Sequence, residues 1–156
     1  MKRPLRAEGT LERRDGTLEK RVVKPRRERV AIDAKQAVIE RNDVRRRVSL
    51  ARAPELAALY AGFTALMAGD TAALERHFEP SIARKGASFT LTLLPRDAKL
   101  RARATLEVSG FGDTVRCVAV VEPDGDASVM AIGAASVGLD PPPARDALAR
   151  HCRGGA

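Results

Sequence analysis

Three features of the sequence predict an α+β fold, a strongly curved antiparallel sheet with helix lying across its concave face. One apolar helical segment runs between Leu56 and Asp70, strand-like alternation fills the chain on both sides of it, and turn residues recur between the alternating runs. Leu56, Leu59, Tyr60, Phe63, Leu66 and Met67 are spaced to fall on one helical face, and such a stripe has to be buried. The space between helix and sheet is then either a filled core or an apolar pocket.

The first third reads as a five-stranded meander. Leu5, Ala7, Gly9 and Leu11 alternate with polar neighbours, and Asp15-Gly16 is a tight hairpin signal that starts the return strand Thr17 to Lys24. Pro25-Arg26-Arg27 breaks the pattern. Glu28 to Asp33 resumes it, Ala34-Lys35 turns it into Gln36 to Arg41, and Asn42-Asp43 leads to Val44 through Leu50. Short strands joined by such turns pair antiparallel.

Pro54 fits the first turn of the helix, where its missing N–H is no loss, and Gly69 sits where a helix ends. Asp70 or Thr71 can cap a second helix, Ala72 to Phe78. Further on, Phe89, Leu91 and Leu93 alternate with Ser88, Thr90 and Thr92 up to Pro95, and Ala104, Leu106 and Val108 share one face of the next strand. Gly110 to Asp113 turns into Thr114 to Glu122, and Pro123 to Asp126 into Ala127 to Ile132. The last two strands are apolar on both faces and need cover on both. Residues 1–135 are expected to form one domain. Residues 136–156, with Pro141-Pro142-Pro143 and a short helix Ala144 to His151, are expected to be a flexible tail.

The composition narrows the function. Residues 1–53 hold 17 Lys and Arg against 8 Asp and Glu, so the whole net charge of +8 arises in the first third. An excess of this kind is either a solvated sheet face or the footprint of an anionic partner. Those 53 residues contain no Phe, Tyr or Trp to stack bases, which argues against a nucleic-acid binder, although a basic module for nucleic acid or for an anionic protein or membrane surface is the alternative function. No apolar run reaches the roughly 18 residues of a membrane span. The first residues lack an apolar segment of the secretory kind.

Catalytic chemistry finds no support. The two histidines, His77 and His151, read as structural, and no Gly-rich nucleotide loop, Walker motif or HExxH occurs. Asp124-Gly125-Asp126 reads as a hairpin turn rather than a calcium loop. Neither metal nor other cofactor is expected. Cys117, in a strand, and Cys152, in the tail, are either a small buried hydrophobe with a distant thiol or a disulfide pair.

Several spaced residues resemble the LolA family of lipoprotein carriers, in particular its shorter LolA-like branch. They are Gly9-Thr10-Leu11; Pro25 and Glu28 followed by Val30, Ile32 and Asp33; Gly69-Asp70 with Leu74 and Phe78; Leu91 to Pro95; and Gly125-Asp126. The match runs from about Pro4 to Ile132. The resemblance implies an incomplete antiparallel β-barrel with a helical lid. It also implies a non-enzymatic, monomeric periplasmic carrier, loaded by an inner-membrane release transporter and unloaded at an outer-membrane acceptor. Family members begin with a signal peptide, a helix and a strand before the point where this chain starts, so Met1 is expected to be an internal start or a boundary.

The cargo would be lipoprotein acyl chains or another lipid. Its expected lining is Leu56, Leu59, Phe63, Leu66 and Met67 from the helix, Leu11, Val30, Ile32 and Ile39 from the early strands, and Phe89, Leu91, Leu93 and Leu106 from the later ones. The family's Lys-Arg-Pro corresponds to Arg13-Arg14-Asp15 here, which makes Arg14 the lid-latch candidate. Glu12, Glu19 and Arg21 stand where the family has large aromatics and imply a different or smaller lipid. Arg26, Arg27, Arg45 and Arg47 are the candidates for partner docking.

Overall fold

The structure, a computed structural model, describes residues 6–137, 139 and 143–154, the Glu55 side chain excepted. Leu5 of the expected opening strand, Pro4 where the family resemblance begins, and Pro141 and Pro142 of the proline run lie outside the described residues. The chain forms two compact units, Met1–His77 and Phe78–Ala156. Its class is α+β, every strand pair is antiparallel, and no barrel closes among the described residues. The strands are shared between two five-stranded ladders, one in each unit, separated in the chain by the helices. No helix among the described residues is long and apolar enough to cross a membrane.

The first unit holds the meander β1 (Glu8–Arg14), β2 (Thr17–Lys24), β3 (Glu28–Ile32), β4 (Gln36–Arg41) and β5 (Val44–Ser49), paired in sequence order. The positive φ values of Asp15, Gly16, Asn42 and Asp43 are what two-residue hairpin turns between right-twisted strands require. Asp33 shapes the third turn: its carboxylate accepts the amides of Lys35 and Gln36 at 2.8 and 2.9 Å, which holds its pKa below the usual range. Gly9 stands opposite a bulge in β2, where Val23 is the extra residue, and a Cβ there would stand 1.9 Å from the Arg21 carbonyl oxygen.

A 3₁₀ turn at Leu50–Arg52 leads into α1 (Pro54–Ala68). Pro54 occupies its first turn, and Gly69, at φ 65°, ends it: Gly69 N–H donates to Leu66 and Asp70 N–H to Ala65, the paired bonds of a Schellman cap. The Asp70 carboxylate then accepts the Ala73 amide at 2.9 Å and starts α2 (Thr71–His77). Phe78, expected as the last residue of that helix, is instead the first of the next strand and only 1% exposed.

The second unit comprises β6 (Phe78–Lys85), β7 (Ser88–Pro95), α3 (Ala98–Arg101), β8 (Thr105–Phe111), β9 (Thr114–Val121), β10 (Ala127–Ala131) and α4 (Arg145–Cys152). Sequence alternation misses β6 because it is an edge strand whose residues after Phe78 are all exposed, so no apolar period marks it. The edge position also explains Pro80, whose missing N–H need serve no second neighbour. The segment after β7, read from sequence only as a strand stop, coils into α3 because Asp97 caps the amides of Lys99 and Leu100.

Cys117 of β9 and Cys152 of α4 form a disulfide with Cα atoms 5.4 Å apart, which settles the open question of their pairing. Around it, Arg116 donates to the His151 carbonyl at 3.0 Å, Ser88 donates to the Arg153 carbonyl at 2.7 Å, and the His151 ring lies 2.6 Å from the Ala135 carbonyl oxygen. Helix α4 thereby covers one side of β9, as the two-faced apolarity of that strand demands.

The two faces of the first sheet differ. On one, Glu19 accepts from Arg21 at 2.8 Å and Arg29 at 3.0 Å, and Glu40 lies between Arg29 and Arg45 at 3.5 and 3.8 Å. These arginines hold the Glu19 carboxyl down at about 2, mainly through the Arg29 hydrogen bond, and Glu19 in turn raises the pKa of Arg29. The other face carries α1.

Two outcomes are expected. Replacing Cys117 and Cys152 by Ala opens a loop spanning 35 residues and should cost the second unit about 3 to 4 kcal/mol in a urea titration; an unchanged midpoint would mean that other contacts hold α4. Because the Glu19 pKa is depressed on folding, its contribution is fully present above about pH 5 and is lost as pH falls toward 2. Glu19→Gln should therefore be less stable than the parent at neutral pH, with the difference shrinking toward pH 2; a pH-independent difference would contradict the ladder's electrostatic role.

Candidate functional site

The face of the first sheet that bears α1 is built in rungs across the five strands. The rung nearest the helix is Arg13, Leu18, Ile32, Ala37 and Val48, and the next is Leu11, Lys20, Val30, Ile39 and Arg46. Burial falls from one to the other. Leu18, Ile32 and Ala37 are buried, whereas Val30 and Ile39 are only half-buried between exposed Lys20 and Arg46, and half-buried Leu11 lies beyond Lys20. The four early-strand residues expected to line a cavity thus share one face, Val30 and Ile39 as a short apolar shelf, Leu11 parted from them by Lys20, and Ile32 as core.

The contact between α1 and this sheet is small. Ile32, Ala37 and Leu50 form its buried centre, with Val30, Val48, Leu56, Ala57 and Tyr60 packed around them. Tyr60 adds the polar tie: its hydroxyl donates to the Gly16 carbonyl of the β1–β2 turn at 2.6 Å. That bond joins helix and hairpin beside Arg14, which is itself exposed at the end of β1.

Helix α1 has no charged residue from Leu56 to Ala68, so it is apolar around its circumference rather than along one stripe. Yet among those residues only Gly62 and Ala65 are buried. Leu56, Leu59, Tyr60, Phe63 and Leu66 remain half-buried, and Met67 is 48% exposed.

Beside this thin contact lies an open crevice of about 480 Å³. Ala57, Tyr60, Ala61 and Thr64 line it from α1, Ala34 from the β3–β4 turn, Leu50 and Ala51 from the 3₁₀ turn, and Ala73 and His77 from α2. At about 100° per residue Ala57 and Ala61 lie on the far side of the helix from Leu59, Phe63 and Leu66, so the expected helix residues and the crevice occupy different sides. Sequence reasoning missed the crevice because alanine carries little hydrophobic signal and four separate segments assemble it. The repeat of small residues at Ala57 and Ala61, one helical turn apart, was the available clue.

In the second unit, Phe89, Leu91 and Leu93 of β7 share a face with Leu106 and Val108 of β8 and Val118 and Val120 of β9. Leu93 and Leu106 are buried, at 0% and 3% exposure, while Phe89 and Leu91 are half-buried.

Of the basic candidates, Arg26 and Arg27 form the exposed β2–β3 turn, and Arg45 and Arg47 project from β5 on the charged face. Arg45 leans on Glu40; Arg26, Arg27 and Arg47 have no acid partner among the described residues. Glu122, Asp124 and Asp126 bring three exposed carboxylates together, and a hairpin turn accounts for them: Gly125 donates to the Glu122 carbonyl, and the Asp126 amide to the Asp124 carboxylate.

The site that emerges is mainly apolar, and its hydroxyls are engaged by backbone: Tyr60 donates to the Gly16 carbonyl and Thr64 to the Tyr60 and Ala61 carbonyls. No curated protein matches the sequence. The family model described as outer membrane lipoprotein carrier protein LolA-like matches residues 1–155, and the chain therefore belongs to the LolA-like outer membrane lipoprotein carrier family.

Proposed function

We propose that this protein shelters the acyl chains of lipoproteins, or another lipid, and carries them through the periplasm toward the outer membrane. Family membership supplies the carrier role. The observation that supports a lipid cargo is the condition of α1, an apolar helix whose large side chains are left half-buried over a small core beside an open crevice. Loading from an inner-membrane transporter, release to an outer-membrane acceptor and action as a monomer belong to the same proposal.

The energetics favour binding without chemistry. Each CH₂ withdrawn from water contributes about 0.8 kcal/mol, so an alkyl tail of modest length is held firmly. The crevice is within the range of ligand pockets, roughly 300 to 1,000 Å³. Alanine lining leaves room that leucine would fill. Half-buried Val30 and Ile39 extend the apolar surface along the sheet, with Leu11 beyond Lys20, and the larger residues Leu56, Leu59, Phe63, Leu66 and Met67 are available to a tail once α1 shifts.

Release requires that α1 open cheaply. Its tie to the hairpin is one hydrogen bond, Tyr60 to Gly16, with a net worth of about 1 kcal/mol, and its core contact is small. Arg14, at the same turn, is assigned as a second tether that closes on the loaded form. No bond is made or broken in this cycle, so the protein is a carrier and not an enzyme.

Titration with a fluorescent fatty acid tests the reading. The parent should bind with rising fluorescence. Ala61→Phe, which fills the crevice, and Leu59→Arg, which places a charge on the apolar helix, should each weaken binding roughly tenfold or more. Tyr60→Phe should lower stability by about 1 kcal/mol and speed release. Absence of binding by the parent, or unchanged binding by both Ala61→Phe and Leu59→Arg, would remove the proposal.

A further inference from the structure

At the end of the first sheet remote from the crevice, two hairpin turns stand side by side. Lys24 to Arg27 connects β2 to β3, with a cis peptide before Pro25, and Asn42-Asp43 connects β4 to β5. Together they border a shallow groove lined by Val22, Val23, Arg27, Arg41, Val44 and Arg45, among others. The opposite turns, at Gly16 and Ala34, are the ones that meet α1 and the crevice, so the two regions lie at opposite ends of the same strands.

The charges here do not balance. Glu28 is taken up by Arg41, and Glu40 by Arg29 and Arg45. Lys24, Arg26 and Arg27 are exposed and have no acid partner among the described residues, with Asp43 as the opposing charge at the neighbouring turn. Between these cations Val23 and Val44 project at 52% and 67% exposure. Val44 is among the most exposed large apolar residues described, and it opens β5 directly after a turn that needs no apolar residue for its geometry.

We propose that these two hairpin tips form a docking surface for an anionic lipid bilayer. Guanidinium groups pair with phosphate in two-point fashion, and several cations near a charged leaflet add their attractions. Protruding valines can then enter the interfacial layer just below the headgroups. A nucleic acid would leave the valines in water, and this part of the chain offers no aromatic ring for stacking. An acidic protein would satisfy the cations but gives no reason for two exposed aliphatic side chains beside the turns. The surface stands apart from the crevice, so the proposal goes beyond the carrier reading and can fail or hold independently of it.

Co-sedimentation of the full chain with vesicles tests it, comparing pure phosphatidylcholine with an equal mixture of phosphatidylcholine and phosphatidylglycerol. The protein should sediment with the mixed vesicles and not with the neutral ones, and added salt should release it. Arg26→Glu combined with Arg27→Glu should weaken binding by at least about tenfold while leaving the circular dichroism spectrum and melting temperature of the protein intact. Val44→Ser, which leaves the charge unchanged, should weaken it severalfold. Equal sedimentation with both vesicle types, or undiminished binding by the double variant, would overturn the proposal. So would full binding by Val44→Ser together with equally tight capture of polyglutamate or duplex DNA, because the surface would then be a general polyanion site.

Discussion

The constraint on which the structure depends is the imbalance between how apolar α1 is and how little of it the fold buries. From Leu56 to Ala68 the helix carries no charge, so water is a poor environment for it. Among the described residues, the first sheet and the 3₁₀ turn nevertheless give it a narrow seat on Ile32, Ala37 and Leu50 and one hydroxyl bond to Gly16. A helix designed only to close a core would sink its leucines and phenylalanine, as Leu93, Leu106 and Val108 are sunk in the second unit. Half-burial of Leu59, Phe63 and Leu66 leaves apolar surface in reserve, and a crevice lined by alanines leaves space beside it. Those two properties connect the sequence to a carrier of hydrophobic cargo.

The first sheet separates its tasks by face and by end. One face is apolar near the helix and grades into Val30 and Ile39, which lie between Lys20 and Arg46. The other carries alternating arginines and glutamates that neutralise one another across the strands. Within that ladder Glu19 and Glu40 offset Arg21, Arg29 and Arg45, and such exposed pairs contribute modestly to stability. The cations without an acid partner among the described residues include Lys24, Arg26 and Arg27 at the hairpin turn near Val23 and Val44. Net charge alone could not distinguish paired from unpaired arginines.

Much of the fold was legible because its signals are local. Asp15-Gly16 and Asn42-Asp43 specified their turns, period-two alternation marked the strands of the first sheet, and Pro54 with Gly69 bounded α1 almost to the residue. The illegible parts depend on neighbours distant in sequence. Strand β6 has no apolar period because it lies at an edge, and Phe78 changed from helix end to strand start because β7 pairs with it. The Cys117–Cys152 bond depended on where α4 returned. At the candidate site, Leu11, Val30, Ile32 and Ile39 could be placed on one face from alternation alone. Ala34, Ala51, Ala61 and Ala73 could not, since their role is the volume they leave empty.

The central claim is that α1 is held loosely over unfilled space and tightens on a lipid tail. Hydrogen–deuterium exchange of the α1 amides, with and without a bound fatty acid, addresses it most directly. The account predicts that Leu59 to Leu66 exchange well before the paired amides of β3 and β4 in the free protein, and slow markedly once the lipid is added. Protection of α1 equal to that of the central strands, unaltered by lipid, would contradict it.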